Sequence, residues 1–215
     1  YKAANNYFDQ VADQEKYQEK MGYFQSDMNF KLGNFQKSID LGIAQLPKAN
    51  DNEKSELSKI IGESYFNLKK YDLALPFLAD YKGKKGKWNN TDLYQLGYVY
   101  YQQKDYENAI TQFNKIIEGK DVVAQNAYYH LAESYLKTDK KQQALNAFKT
   151  ASEMTFDLKI QEDAYLNYAK LSYEIGNPYQ SVPEIMNAYL SKYPNTSYKQ
   201  EINTLLISSY ITSKN

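Results

Sequence analysis

Apolar residues in this chain recur at helical spacing, and the spacing itself recurs. Leu93, Leu96, Gly97 and Tyr100 fall at i, i+3, i+4 and i+7, and so do Tyr128, Leu131, Ala132 and Tyr135. Each set makes one stripe of an amphipathic helix. A second stripe follows each, as Ala109, Phe113 and Ile116 and then as Ala144, Phe148 and Ala151. The polar pairs Lys104-Asp105 and Asp139-Lys140 lie between the stripes, where the chain reverses. The pattern predicts helical hairpins laid one after another.

Tyr65, Tyr100 and Tyr135 are spaced 35 residues apart. Aligning them superposes Gly62, Gly97 and Ala132, then Ala74, Ala109 and Ala144, then Leu78, Phe113 and Phe148. Small residues at two fixed places let the two helices of a hairpin approach closely. The tyrosine fills the space beside that contact and keeps a polar tip for water. Residues elsewhere in the period face solvent or a partner and vary freely.

Five units follow from this register, at 19–54, 55–89, 90–124, 125–161 and 162–196. The outer two are degenerate. Ser38 and Ser181 take the place of the second-helix alanine, and Pro178 predicts a longer turn in the last unit. Tyr1, Ala4, Phe8 and Val11 match second-helix positions, so residues 1–18 read as the second half of a preceding repeat. Leu205, Leu206 and Tyr210 read as a first helix, within 197–215, of a further repeat or cap. The expectation is one continuous unit over 1–215, cut from a longer array.

The spacing L-x2-LG-x2-Y-x8-A-x3-F-x2-I of residues 93–116, repeated in 128–151, resembles the tetratricopeptide repeat, whose common period is about 34. The resemblance implies an all-α, right-handed solenoid of antiparallel helix pairs, with first helices lining a concave groove. Carried over residue by residue, the groove positions are Lys59, Glu63 and Phe66, then Tyr94, Tyr98 and Tyr101, then Tyr129, Glu133 and Leu136. Leu166, Lys170 and Tyr173 follow in the fifth unit. Members that clamp a terminal carboxylate use lysine and asparagine at places held here by Glu63, Tyr98 and Glu133, so that subtype is not expected.

Composition narrows the chemistry. The chain has 23 tyrosines, more than the core positions use, and tyrosine suits recognition surfaces because it offers large area with few rotors to freeze. Basic and acidic residues balance at 26 each, and every basic residue is lysine. Without arginine or net charge, nucleic acid is not an expected partner. There is no cysteine and a single histidine, His130, which reads as a packing residue. No metal, cofactor or catalytic set is expected. Residues 83–88, GKKGKW, lack phosphate-loop spacing; with Lys82 they form the one local charge concentration, read as a solvated loop or as a docking spot for an acidic or phosphate-bearing partner. No apolar run reaches membrane-spanning length.

The stretch YLSKYPNTSYKQEINTLLISSY at 189–210 is similar to the helix junctions of bacterial cell-envelope tetratricopeptide proteins, with Pro194 ending one helix and Asn195 or Thr196 capping the next. The resemblance implies a non-enzymatic scaffold that binds a peptide or partner helix in a tyrosine-lined groove, in the periplasm or cell envelope. The alternatives are a cytoplasmic location, a structural spacer or docking platform, and a carbohydrate-binding accessory module. The expected partner is a protein or peptide, with any membrane attachment outside this segment. The chain is expected to be a monomer, or a weak homo-oligomer through its ends.

Overall fold

The computed structural model describes residue 6, residues 15–116 and residues 118–212. Eleven α-helices lie among them: α1 (Glu15–Lys31), α2 (Phe35–Gln45), α3 (Asp51–Asn67), α4 (Tyr71–Asp80), α5 (Asn90–Gln102), α6 (Tyr106–Phe113), α7 (Val122–Lys137), α8 (Lys141–Glu153), α9 (Leu158–Ile175), α10 (Val182–Lys192) and α11 (Lys199–Thr212). Among the described residues the extended pairing is one isolated bridge, between Lys84 and Lys87. The second-helix pattern at Tyr1, Ala4, Phe8 and Val11 lies outside the described residues. No helix of the described residues is long and apolar enough to cross a membrane.

The first helices start where polar caps allow, up to one turn ahead of the boundaries read from the spacing. α3 begins at Asp51 because Asn50 Oδ1 accepts from the N–H groups of Asn52 and Glu53, while Glu53 receives the Asn50 N–H. Asp121 caps α7 and Asp157 caps α9 in the same sense, so these helices start at 122 and 158, not at 125 and 162. Such caps satisfy amide donors that a helix start leaves open.

The turns between first and second helices are one structure made four times. Gly33, Lys69, Lys104 and Asp139 have φ of 78, 58, 62 and 57°. The next N–H in each case, from Asn34, Lys70, Asp105 and Lys140, reaches back to the carbonyl of Asn29, Tyr65, Tyr100 and Tyr135 at 2.8–2.9 Å. This left-handed C-terminal cap reverses the chain in three residues.

The described residues form two compact units divided between Ala109 and Ile110, inside α6. In the first, α1 packs on α2 and α3 on α4, and successive first helices touch, α1 with α3 and α3 with α5. One apolar cluster joins Ile39, Ala49, Leu57 and Ile61; another joins Ala74, Leu78, Leu96 and Val99. A Cβ on Gly62 would lie 2.8 Å from the Leu78 side chain and 3.0 Å from its backbone nitrogen. The glycine is there because α4 passes too close for anything larger.

In the second unit α7 packs on α8, α8 on α9, and α9 on both α10 and α11. Ala132, Ala144, Phe148 and Ala164 are fully buried, and so are Ile185, Met186 and Tyr189 on the inner face of α10. The repeat positions Ala74, Ala109 and Ala144 are buried as the spacing requires. Ser181 is not their counterpart. It is exposed at the N-cap of α10, and Ile185 and Met186 fill the close contact instead. The longer turn predicted from Pro178 causes this offset. Asn177 Oδ1 collects the N–H groups of Tyr179 and Gln180, and its amide reaches Tyr168 and Ser172, so the turn runs from Gly176 to Ser181 before α10 can start.

Candidate partner-binding surface

Three tyrosines of α5 form a ladder along one helix face in the first unit. Tyr94 and Tyr98 stack with ring centroids 5.9 Å apart, and Tyr98 and Tyr101 at 6.1 Å. Their spacing of four and three residues puts them one above another. Phe66, from the end of α3, meets Tyr98 edge-on at 5.8 Å. All four are half-buried, so each packs against its neighbours and still presents area to solvent.

Two rings that the groove positions did not include complete the surface. Tyr71, which opens α4, lies edge-on to both Phe66 and Tyr98 at 5.7 Å. Tyr106, which opens α6, lies 5.8 Å from Tyr101. A signal was present, since both sit two residues after a left-handed turn residue and 35 apart. Burial and the neighbouring Tyr98 raise the Tyr71 phenol above its ordinary value, which keeps it a neutral hydrogen-bonding group.

Lys59 and Glu63, expected on the same face, are committed inside the unit. Lys59 Nζ lies 2.5 Å from Asp92 Oδ1 and 4.0 Å from Glu63 Oε1, and 5.1 Å above the Tyr81 ring. Burial lowers the affinity of Lys59 for its proton, but the bond to Asp92 and the charge of Glu63 outweigh this and raise its pKa. Glu63 is 9% exposed; burial raises its pKa, Lys59 opposes that, and Asp92 adds to it. The Gln95 side chain hydrogen-bonds Glu63, while its carbonyl oxygen is buried with no hydrogen-bond partner among the described residues.

The predicted residues of the second unit divide in the same way. Tyr129 is half-buried, edge-on to Phe148 at 5.8 Å, and its phenol is pushed up to about 12 by burial, with Glu133 and Asp163 adding to it. Glu133 Oε2 lies 2.9 Å from His130 Nδ1, and His130 stacks on Phe113 at 6.3 Å, a packing role. Leu136 and Tyr173 are open at 36% and 38% exposure. Leu166, at 6%, belongs to the core. Lys170 pairs with Glu201 at 2.5 Å and lies over the Tyr198 ring.

The junction at 189–210 also differs from its sequence reading. α11 starts at Lys199, and the Thr196 hydroxyl bonds the buried Tyr189 phenol at 2.8 Å while the Tyr198 N–H reaches it only at 3.4 Å. Among the described residues no three His, Asp or Glu side chains converge to hold a metal ion.

The hairpin geometry has clear counterparts. The structure of YrrB, a TPR protein with an unusual peptide-binding site, aligns with a TM-score of 0.70 at 14% identity, over 92% of this chain and 97% of that one. These hairpins have the tetratricopeptide-repeat fold. A structure of MamA aligns with a TM-score of 0.63 at 17% identity, over 83% of this chain and 93% of that one. MamA 41-end from Desulfovibrio magneticus RS-1 aligns with a TM-score of 0.61 at 14% identity, over 83% and 97%. A family model for the anaphase-promoting complex, cyclosome, subunit 3 matches residues 77–151, which include the two stretches of clearest repeat spacing, 93–116 and 128–151. No curated protein sequence matches the chain.

Proposed function

We propose that this chain is a non-enzymatic protein-interaction scaffold that holds a peptide or a partner helix on the aromatic face of its first unit. The observation that carries the proposal is the ladder of Tyr94, Tyr98 and Tyr101 with Phe66 and Tyr71. The core of this unit is built from Leu96, Val99, Ala74 and Leu78, with Phe66 and Tyr71 packed against it, whereas Tyr94, Tyr98 and Tyr101 are not among the side chains that close this cluster. Their half-exposed area, with phenol tips able to accept and donate, is the make-up of binding hot spots. The likeness to YrrB, a TPR protein with a peptide-binding site, supports the reading. A place in the bacterial cell envelope belongs to the same proposal, supported by the form of residues 189–210, and is tested by fractionating the native host.

The deciding experiment is selection from a random peptide library. Peptides should be enriched on the wild-type chain and lost on the Y94S/Y98S/Y101S variant, with helicity by circular dichroism unchanged. Loss of helicity in that variant, or enrichment of the same peptides on it, would overturn the reading.

A further inference from the structure

The connection between α4 and α5 carries Lys82, Lys84, Lys85 and Lys87, and all four side chains are exposed. Some lysines elsewhere are held by carboxylates, as Lys59 by Asp92, Lys141 by Glu174, Lys149 by Glu153 and Lys170 by Glu201. These four have no ion-pair partner among the described residues.

Their loop has a built shape. Gly83, Lys85 and Gly86 take φ of 80, 54 and 77°. At Gly83 a Cβ would lie 2.6 Å from the backbone carbon of Lys87, so the turn closes only on glycine. Gly86 N–H bonds the Gly83 carbonyl and Lys87 N–H that of Lys84. Tyr81 and Trp88 join across the base of the loop, with ring centroids 5.4 Å apart, and the Lys82 N–H donates to Ser55 Oγ on α3 at 3.0 Å.

This architecture sets like charges against one another. The bridge places Lys84 directly opposite Lys87, an arrangement that destabilises an antiparallel pair, and Lys85 adds a left-handed non-glycine residue. A bound anion relieves the repulsion. Below the loop is a cleft of about 360 Å³, walled on one side by Lys82, Lys84 and Lys85 and on the other by Asp51 and Glu56 of α3. The carboxylate wall selects among anions. A continuous phosphate backbone or lipid surface would bring charge against Asp51 and Glu56, while acidic side chains on a flexible peptide reach the lysines alone. We infer that the loop of residues 82–87 is a docking site for an acidic segment of a partner protein, separate in chemistry from the aromatic ladder and independent of the reading given for it.

Trp88 is the chain's only tryptophan, so its fluorescence reports on the loop. A twelve-residue peptide of alternating Glu and Gly, titrated into the whole chain, should change that fluorescence saturably. Binding should weaken about tenfold or more as salt rises from about 50 to about 300 mM, since exposed charges are screened within about 10 Å at 0.1 M. The K82Q/K84Q/K85Q/K87Q variant should bind at least about tenfold more weakly, and the corresponding Lys-to-Arg variant should retain binding, with the circular dichroism of both unchanged. Absence of a saturable change up to about 1 mM peptide would overturn the inference. So would an undiminished response in the glutamine variant, a salt-independent response in the wild type, or tighter binding of a single-stranded oligonucleotide or of phosphatidylserine vesicles than of the peptide.

Discussion

Lys59 on α3 and Asp92 on α5 meet at 2.5 Å, joining two successive repeats through one ion pair. Asp92 does two things at once, since its other oxygen accepts the Asn89 N–H and closes the capping box that starts α5. Its side chain is only 2% exposed. Removing one partner of a buried pair leaves an uncompensated charge, which costs about 3 kcal/mol. Lys59→Met should lower the unfolding free energy by about that amount in urea denaturation, more than an exposed substitution such as Lys54→Met.

Glu63 gives stability a pH dependence. Its pKa in the folded chain is raised by burial, so the folded state binds a proton more tightly than the unfolded chain does. The sign follows directly: Glu63 contributes most to stability below its ordinary carboxylate pKa, and that contribution is lost as pH rises through the raised value. Glu63→Gln should therefore leave stability equal or greater at pH 7 and flatten the pH profile just above the ordinary carboxylate range. Urea midpoints measured from pH 4 to 7 on both proteins check this.

The four left-handed turns offer a stabilising change. Lys69 and Lys104 hold φ of 58 and 62°, where an L side chain costs about 1 kcal/mol and glycine costs little. Lys69→Gly and Lys104→Gly should each raise stability by about 0.5–1 kcal/mol, with an additive rise in the thermal midpoint. Asp139→Gly should give less, because Asp tolerates this region better than Lys.

Gly62→Ala should act in the opposite direction. Alanine is the better helix former by about 1 kcal/mol, but its Cβ would press on Leu78 side chain and backbone at 2.8–3.0 Å. Overpacking of this kind costs about 1–3 kcal/mol, so the net effect is destabilising. A Leu78→Ala background removes the side-chain part of the clash, and the cost of Gly62→Ala should shrink there in a double-mutant cycle.

Where the 35-residue register is undisturbed, side-chain placement was legible from the chain alone. Gly62, Gly97 and Ala132, and Ala74, Ala109 and Ala144, are buried in the order their spacing predicts. The register failed at Ser181, because the Asn177 turn inserts residues that no local apolar pattern reveals. The positions Tyr94, Tyr98 and Tyr101, expected in the groove from the repeat resemblance, stack along one face of α5, since helical spacing fixes which residues align. Tyr71 and Tyr106 were missed as members because they open second helices, whereas the groove positions were taken from first helices alone.

Lys59 and Glu63 show the same limit from the electrostatic side. In sequence they are a charged pair one turn apart on a helix surface, equally suited to water, a partner or each other. Only the packing of α3 on α5 brings Asp92, 33 residues on, to claim the lysine and bury the glutamate. The sequence by itself determined the helices, their pairing and the positions of close contact, because these depend on periodicity and residue size within one hairpin. The tertiary structure alone decided which polar groups are spent on joining repeats and which remain open to solvent, because that depends on what a neighbouring helix brings within a few ångströms.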